Sequence, residues 1–130
     1  MCLDEPQSYY EEKVIPFDPL SFPEFETMRN LCISMVNASL TDEEINTFLF
    51  CMALDSEDEC ILDACKESAN PEFLSELVRV GVTFPYSEAR WQMAELLRGN
   101  IPHKTQYLQM LLADSDRYVR KRANNVFQEN

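Results

Sequence analysis

Residues 111–123 read LLADSDRYVRKRA, and this stretch decides the predicted fold. Its leucine pair, Leu111 and Leu112, suits the buried face at the end of one helix. The acidic turn that follows carries residue types that favour the start of a helix. Val119 and Ala123 are four residues apart, which places them on one face of the next helix. The stretch therefore predicts two helices joined by a short polar turn.

The same pattern recurs at a spacing of about thirty residues. Residues 89–97 align with residues 119–127, and residues 60–65 align with residues 89–94. Each segment follows a polar or proline-bearing turn and is predicted to be the second helix of a pair. A period near 30 residues built from helix pairs is typical of an α-solenoid, in which each pair packs on its neighbours.

These segments resemble the HEAT repeat, in which Val-Arg opens the second helix and a small residue follows four positions after the valine. The last copy matches this pattern at Asp114, Val119, Arg120 and Ala123. The middle copy matches at Arg90, Ala94 and Leu97, with Ala89 in the valine place and Met93 in the first alanine place. The first copy lacks the arginine. The resemblance covers about residues 41–130 and implies stacked helix pairs that bind proteins or nucleic acids.

Capping residues predict where the earlier helices begin. In a capping box, a Ser or Thr side chain and a Glu three residues later satisfy free amides at the start of a helix. The sequence contains three such boxes, at Ser21 to Glu24, Thr41 to Glu44 and Ser56 to Glu59. Asn70 precedes a proline and is predicted to cap a fourth helix, which Gly81 ends.

The later helices are predicted from apolar periodicity and breakers. Residues 87–98 are predicted to be helical, with Gly99 as the C-cap. Pro102 is predicted to start the next helix, and Asp114 to cap the last one.

The predicted fold class is all-α, with antiparallel helix pairs stacked as a short HEAT-like α-solenoid of six to eight helices. A chain of 130 residues, 45% of them apolar, fits a single domain over residues 1–130. Residues 1–20 are predicted to form an N-terminal arm, residues 21–40 the first helix, and residues 41–130 the helix pairs.

The chain contains five cysteines, an odd number, and no CxxC pair. Buried thiols in a reducing compartment are therefore expected, rather than disulfides or a zinc site. The acidic N-terminus does not resemble a signal peptide, and no apolar run is long enough to span a bilayer. These features predict a cytoplasmic protein without cofactors.

The net charge of −12 is distributed unevenly. Residues 1–70 contain 16 acids and 3 bases, whereas residues 71–130 contain 7 acids and 8 bases. The negative electrostatic field of the N-terminal half attracts basic partners and repels nucleic-acid phosphates and anionic lipid. The helix dipole, which favours acids near helix N-termini, explains part of the excess, and solubility alone is a further explanation.

The residues predicted to bind a partner are eight acids and one aromatic side chain. They are Asp42, Glu43, Asp55, Glu57, Asp58, Glu59, Asp63, Glu67 and Trp91. Trp91 has two open interpretations, packing against a neighbouring helix pair or exposure at an interface. A basic run at Arg117, Arg120, Lys121 and Arg122 is the one feature that favours nucleic acid.

The candidates for catalysis or metal binding are few. His103 is the only histidine, and no cysteine is spaced to form a dyad with it. The acids between Asp55 and Glu67 lack the Asp-x-Asp-x-Asp-Gly order of a calcium loop. We therefore expect no enzymatic activity and no bound metal.

The small, acidic, helical profile is similar to that of bacterial immunity proteins, which neutralise contact-dependent growth inhibition toxins or other polymorphic toxins. The resemblance implies a non-enzymatic inhibitor that binds a basic, nuclease-type toxin domain through an acidic surface. A HEAT-like scaffold or adaptor module in a protein complex is the alternative. A nucleic-acid-binding repeat of the kind found in helical DNA glycosylases is a third interpretation.

Overall fold

The computed structural model describes residues 23–129, which form seven α-helices and no strand. The helices are α1 (Pro23–Ser34), α2 (Asp42–Leu54), α3 (Cys60–Ser68), α4 (Pro71–Gly81), α5 (Ser87–Leu96), α6 (Lys104–Leu112) and α7 (Arg117–Glu129). The all-α fold class is thereby confirmed. The predicted arm at residues 1–20 and the capping role of Ser21 lie outside the described residues.

Two predicted helix starts are confirmed by their hydrogen bonds. At α2, the amide of Glu44 donates to Oγ1 of Thr41 over 3.1 Å, and the amide of Thr41 donates to Oε1 of Glu44 over 2.8 Å. At α4, the amide of Phe73 donates to Oδ1 of Asn70 over 2.8 Å. These bonds satisfy amides that have no partner within the helix.

The predicted start of α3 is wrong. The residue before this helix is Glu59, whose φ of 58° is left-handed, and not the predicted Ser56. The free amide of Ile61 donates instead to Oδ2 of Asp55 over 2.8 Å. The chain folds back after α2 so that this buried carboxylate, six residues upstream, reaches the helix end.

The predicted cap of α7 is displaced by two residues. Oδ1 of Asp116 accepts from the amide of Val119 over 3.0 Å, so Asp116 rather than Asp114 satisfies the first turn. Oδ1 of Asp114 accepts from the amide of Asp116 over 2.8 Å. Asp114 therefore shapes the turn that leads into the helix.

The glycine and proline predictions also need correction. Gly81 is the last residue of α4 rather than the residue after it, and neither it nor Gly99 has a positive φ. A Cβ at Gly81 would lie only 2.4 Å from Sδ of Met93, so the glycine allows α4 and α5 to approach closely. The fifth helix ends at Leu96, before Gly99. The sixth helix begins after His103, whose φ is 63°, rather than at Pro102.

Helix α5 lies at the centre of the described structure. All of its residues except Arg90 are buried, and it contacts α2, α3, α4, α6 and α7. The second helices of the predicted pairs contact one another in the order α3, α5 and α7, and α2 contacts α4. The stacked solenoid stays a prediction.

A partly buried ion pair connects α5 to the turn before α7. Nε and Nη2 of Arg90 donate to the two carboxylate oxygens of Asp114 over 2.9 and 3.1 Å. Nη1 of the same side chain donates to the carbonyls of Phe84 and Pro85. The arginine that matches the HEAT pattern thus joins three segments, because its planar head can donate in several directions at once.

Candidate functional site

The predicted partner-binding residues fall into two separate groups. Asp42 and Glu43 lie at the start of α2, whereas the acids from Asp55 onward follow its end. A helix of 13 residues is about 20 Å long at 1.5 Å per residue, so the two groups are well separated along it. The described acids at the two ends of α2 therefore do not form one continuous patch.

Asp55 is not on the surface where the sequence placed it. Its side chain is 1% exposed and accepts from Nε of Arg29 over 2.9 Å, in addition to the amide of Ile61. Burial raises the pKa of Asp55, while the amide of Ile61 and the guanidinium of Arg29 oppose that rise. Asp55 therefore stabilises the fold internally. Asp58 accepts from Nη2 of Arg29 over 2.7 Å but stays exposed.

Trp91 is also buried, with 6% of its surface exposed. Its ring meets that of Tyr118 edge to face, with centroids 5.5 Å apart. The guanidinium carbon of Arg122 lies 4.3 Å from the centroid of the tryptophan ring. Of the two interpretations, packing is the one seen. Tyr118, which is 40% exposed, is the aromatic side chain that solvent reaches on this side.

The acids that remain at the surface include a row along α3, which we call the α3 acidic stripe and define as Glu59, Asp63 and Glu67. Asp63 and Glu67 are four residues apart, which places them on one face of α3, and Glu59 lies directly before the helix. Asp63 and Glu67 are exposed, and no described residue forms an ion pair with either. Burial raises the pKa of the half-buried Glu59, and nearby Arg122 opposes that rise. Glu57 is also half-buried, in the turn before the stripe.

Most of the described arginines form ion pairs with acids of the same chain. Of the seven in residues 23–129, five form ion pairs. These are Arg29, Arg79, Arg90, Arg98 and Arg122. The predicted basic run on α7 is reduced by one member, because Arg122 turns inward to Glu95. Arg117, Arg120 and Lys121 remain as its exposed members with no ion pair to a described residue, although Arg120 donates to the carbonyl of Asp114.

Two pockets flank the N-terminal half of α2. The first, of about 380 Å³, lies between the α1–α2 loop and α4, and Glu72 and Glu76 contribute to its wall. The second, of about 300 Å³, lies between α1 and α2 and is mainly apolar, with the exposed Glu43 and Glu44 beside it. Asp42 is exposed and pairs with Arg79 over 3.0 Å.

The candidate groups for chemistry are dispersed. His103 is exposed, and its nearest aromatic neighbour is the ring of Tyr107 at 6.4 Å. Cys32, Cys51, Cys60 and Cys65 are free thiols. Within residues 23–129, no three His, Cys, Asp or Glu side chains are grouped so that they could hold a metal ion. None of the described helices combines the length and apolar character needed to cross a membrane.

Compared with known proteins, the chain matches no family model, no curated protein and no solved structure. The geometry of the described residues is therefore the basis on which a function is proposed.

Proposed function

We propose that this chain is a non-enzymatic inhibitory protein of the immunity type, cytoplasmic and bacterial, that binds a cationic protein domain through the α3 acidic stripe. The partner is a basic toxin domain, of which a nuclease is the leading case. Asp63 and Glu67 would approach the basic residues that normally hold the phosphates of its substrate.

The observation that carries the proposal is the imbalance between paired and unpaired charges. The arginines are largely directed into internal ion pairs, whereas Asp63 and Glu67 are exposed and form none with the described residues. Exposed, unneutralised acids project a negative field into solvent at little folding cost and accelerate the approach of a basic partner. Lys66 is the one base within α3 and leaves the helix net acidic.

The same charge arrangement argues against a nucleic-acid-binding repeat. Phosphate binding requires several free Lys or Arg side chains on one face. On α7 one of the four predicted bases, Arg122, is paired with an acid, Glu95, and the net charge of −12 repels phosphate.

The test is co-expression and co-purification with the product of the neighbouring gene, followed by an assay of nuclease protection. A charge-reversed variant, Asp63→Lys with Glu67→Lys, should slow association by about tenfold or more at low salt, because steering depends on these charges. The matched control is Glu72→Lys with Glu76→Lys, which reverses two exposed acids at the same spacing on α4. That control should change the rate much less.

The proposal fails if no adjacent gene product forms a complex with this chain. It also fails if both double variants slow association equally, because the effect would then follow total charge rather than the α3 acidic stripe. Recovery of the chain within a multi-subunit assembly, with no inhibitory effect on any member, would favour the scaffold or adaptor alternative.

A further inference from the structure

We infer that the pocket between α1 and α2 binds an amphipathic helix of a protein partner, with leucine-sized side chains on its apolar face and basic residues on its flank. We call this pocket the α1/α2 groove. The inference rests on the proposed function in one respect, namely that the partner is a cationic protein.

The shape of the α1/α2 groove matches two turns of helix. One wall is Met28, Leu31, Cys32 and Met35, and the other includes Glu44, Thr47, Phe48 and Cys51. Both sets have the spacing i, i+3, i+4 and i+7. The α2 set is one face of that helix, and the other set begins on α1 and ends at Met35 in the turn that follows it. A partner helix that lies between such walls places its own side chains at the same intervals.

The groove is unusually apolar for an exposed site. Leu31 is 60% exposed, more than any other large apolar side chain among the described residues, and the ring of Phe48 forms a buried floor. Met28 and Met35 are half-buried beside it. Methionine side chains adapt to the shape of an incoming group, and they are common where proteins bind helices. Covering Leu31 would remove apolar surface from water, which favours binding.

The charges around the groove define the flank of the partner. Glu43 and Glu44 line the groove on the α2 side and are exposed. The one base of α1, Arg29, turns away from solvent to pair with acids after α2. A helix with Lys or Arg beside its apolar face complements this rim.

The same charges argue against a second copy of this chain as the occupant. A second copy would bring its own acidic α1 and α2 against Glu43 and Glu44, and like charges repel at short distance. A basic helix from another protein has no such penalty.

The experiment uses the full chain and a synthetic helical peptide with leucines at i, i+3, i+4 and i+7 and lysines beside them. Binding is measured by fluorescence anisotropy, and the site is located from the ε-methyl NMR signals of Met28 and Met35. We expect binding with shifts of both signals. A peptide of the same composition in scrambled order should bind weakly and leave these signals unchanged.

Leu31→Gln removes the exposed anchor of the groove. It should weaken binding of the lysine peptide by about tenfold, as expected when one leucine contact is lost. Phe127→Gln is the matched control, because Phe127 is 52% exposed on α7 and lies outside the groove. Both positions are exposed, so neither variant should prevent folding. Equal effects of the two substitutions, or unchanged methyl signals, would overturn the inference.

Further outcomes separate this inference from the proposed function. In one outcome, the scrambled peptide binds as tightly as the helical one, and the Asp63→Lys and Glu67→Lys variant binds neither peptide. The binding of cationic partners by the α3 acidic stripe is then supported, and the assignment of the α1/α2 groove fails. If a peptide with glutamate in place of lysine binds equally well, the basic flank assigned to the partner is wrong. If the chain self-associates and Leu31→Gln abolishes the association, the occupant is a second copy and the inference is overturned.

Discussion

Arg122 of α7 donates a hydrogen bond from Nε to Oε2 of Glu95 of α5 over 2.7 Å, and its guanidinium carbon lies 4.3 Å from the ring centroid of Trp91. Glu95 also accepts from Nε of Arg98 over 2.9 Å through its other oxygen. One arginine thus holds the last helix to the central one by an ion pair and by an aromatic contact. Both contacts favour the charged form of Arg122.

Replacing Glu95 by glutamine should make stability less dependent on pH. Burial acts to raise the pKa of Glu95, but hydrogen bonds from Arg98 and Arg122 outweigh it, and the pKa lies below its ordinary value. Because folding favours the ionised form, the contribution is complete at neutral pH and is lost as the pH falls through the pKa of the folded state.

We expect Glu95→Gln to lower the free energy of unfolding at neutral pH by about 1 to 3 kcal/mol, the range for hydrogen bonds to charged groups. Urea unfolding curves at a series of pH values measure this difference, which should shrink as the solution becomes acidic. Glu72→Gln on the exposed face of α4 is the control and should have little effect. If the difference in the free energy of unfolding between the two proteins stays constant down to acid pH, the lowered pKa of Glu95 is contradicted.

Gly81→Ala should destabilise the chain by about 1 to 3 kcal/mol, the usual cost of overpacking a core. The added Cβ would lie 2.4 Å from Sδ of Met93 and 3.1 Å from Cδ2 of Leu49, and both side chains are fully buried. The double variant Gly81→Ala with Met93→Ala should lose less stability than the sum of the two single variants, because the smaller side chain at 93 makes room for the added Cβ at 81. Chemical denaturation of all three variants tests this. If the losses of stability in the two single variants simply add in the double variant, the added Cβ at position 81 does not clash with Met93.

The parts of the fold that the sequence predicts well depend on contacts between near neighbours. The caps at Thr41 and Asn70 bond to amides three residues later, so the pattern alone is sufficient to find them. Helix type and approximate position follow from apolar periodicity for the same reason. The cap of α3 was missed because the position of Asp55 depends on a chain reversal and on Arg29, which is 26 residues away.

The candidate site was predicted in part. The charge distribution placed Glu59, Asp63 and Glu67 among the nine predicted partner-binding residues, and the spacing of four residues explains why Asp63 and Glu67 share a face of α3. The sequence left two interpretations of Trp91 open, because the packing of its ring depends on Tyr118 and Arg122, which belong to a helix about thirty residues later. Sequence spacing does not indicate the α1/α2 groove, because the 60% exposure of Leu31 has no signal in the sequence.

Asp55→Ala should destabilise the chain by about 2 to 4 kcal/mol, because it leaves Arg29 without its buried partner and the amide of Ile61 without an acceptor. Asp58→Ala removes the exposed partner of the same arginine and should cost less than about 1 kcal/mol. Thermal or urea unfolding measures both. Similar costs for the two alanine variants would mean that Asp55 has no special role.

The thiols should react with an alkylating reagent in an order set by burial. Cys60 is partly exposed, whereas Cys51 and Cys65 are buried. A hydrogen bond between the thiols of Cys51 and Cys32, together with burial, raises the pKa of Cys51. Burial raises the pKa of Cys65 to about 12, so its reactive thiolate is scarce at neutral pH.

In a Cys2→Ser background, mass spectrometry after brief exposure to iodoacetamide should find Cys60 modified first, and Cys51 and Cys65 only after unfolding. Cys60→Ser in the same background is the control and should remove the fast reaction. A fast reaction that persists in this variant would show that another thiol is accessible. Because Cys32 and Cys51 contribute to the α1/α2 groove, their labelling in the native chain would also reveal opening between α1 and α2.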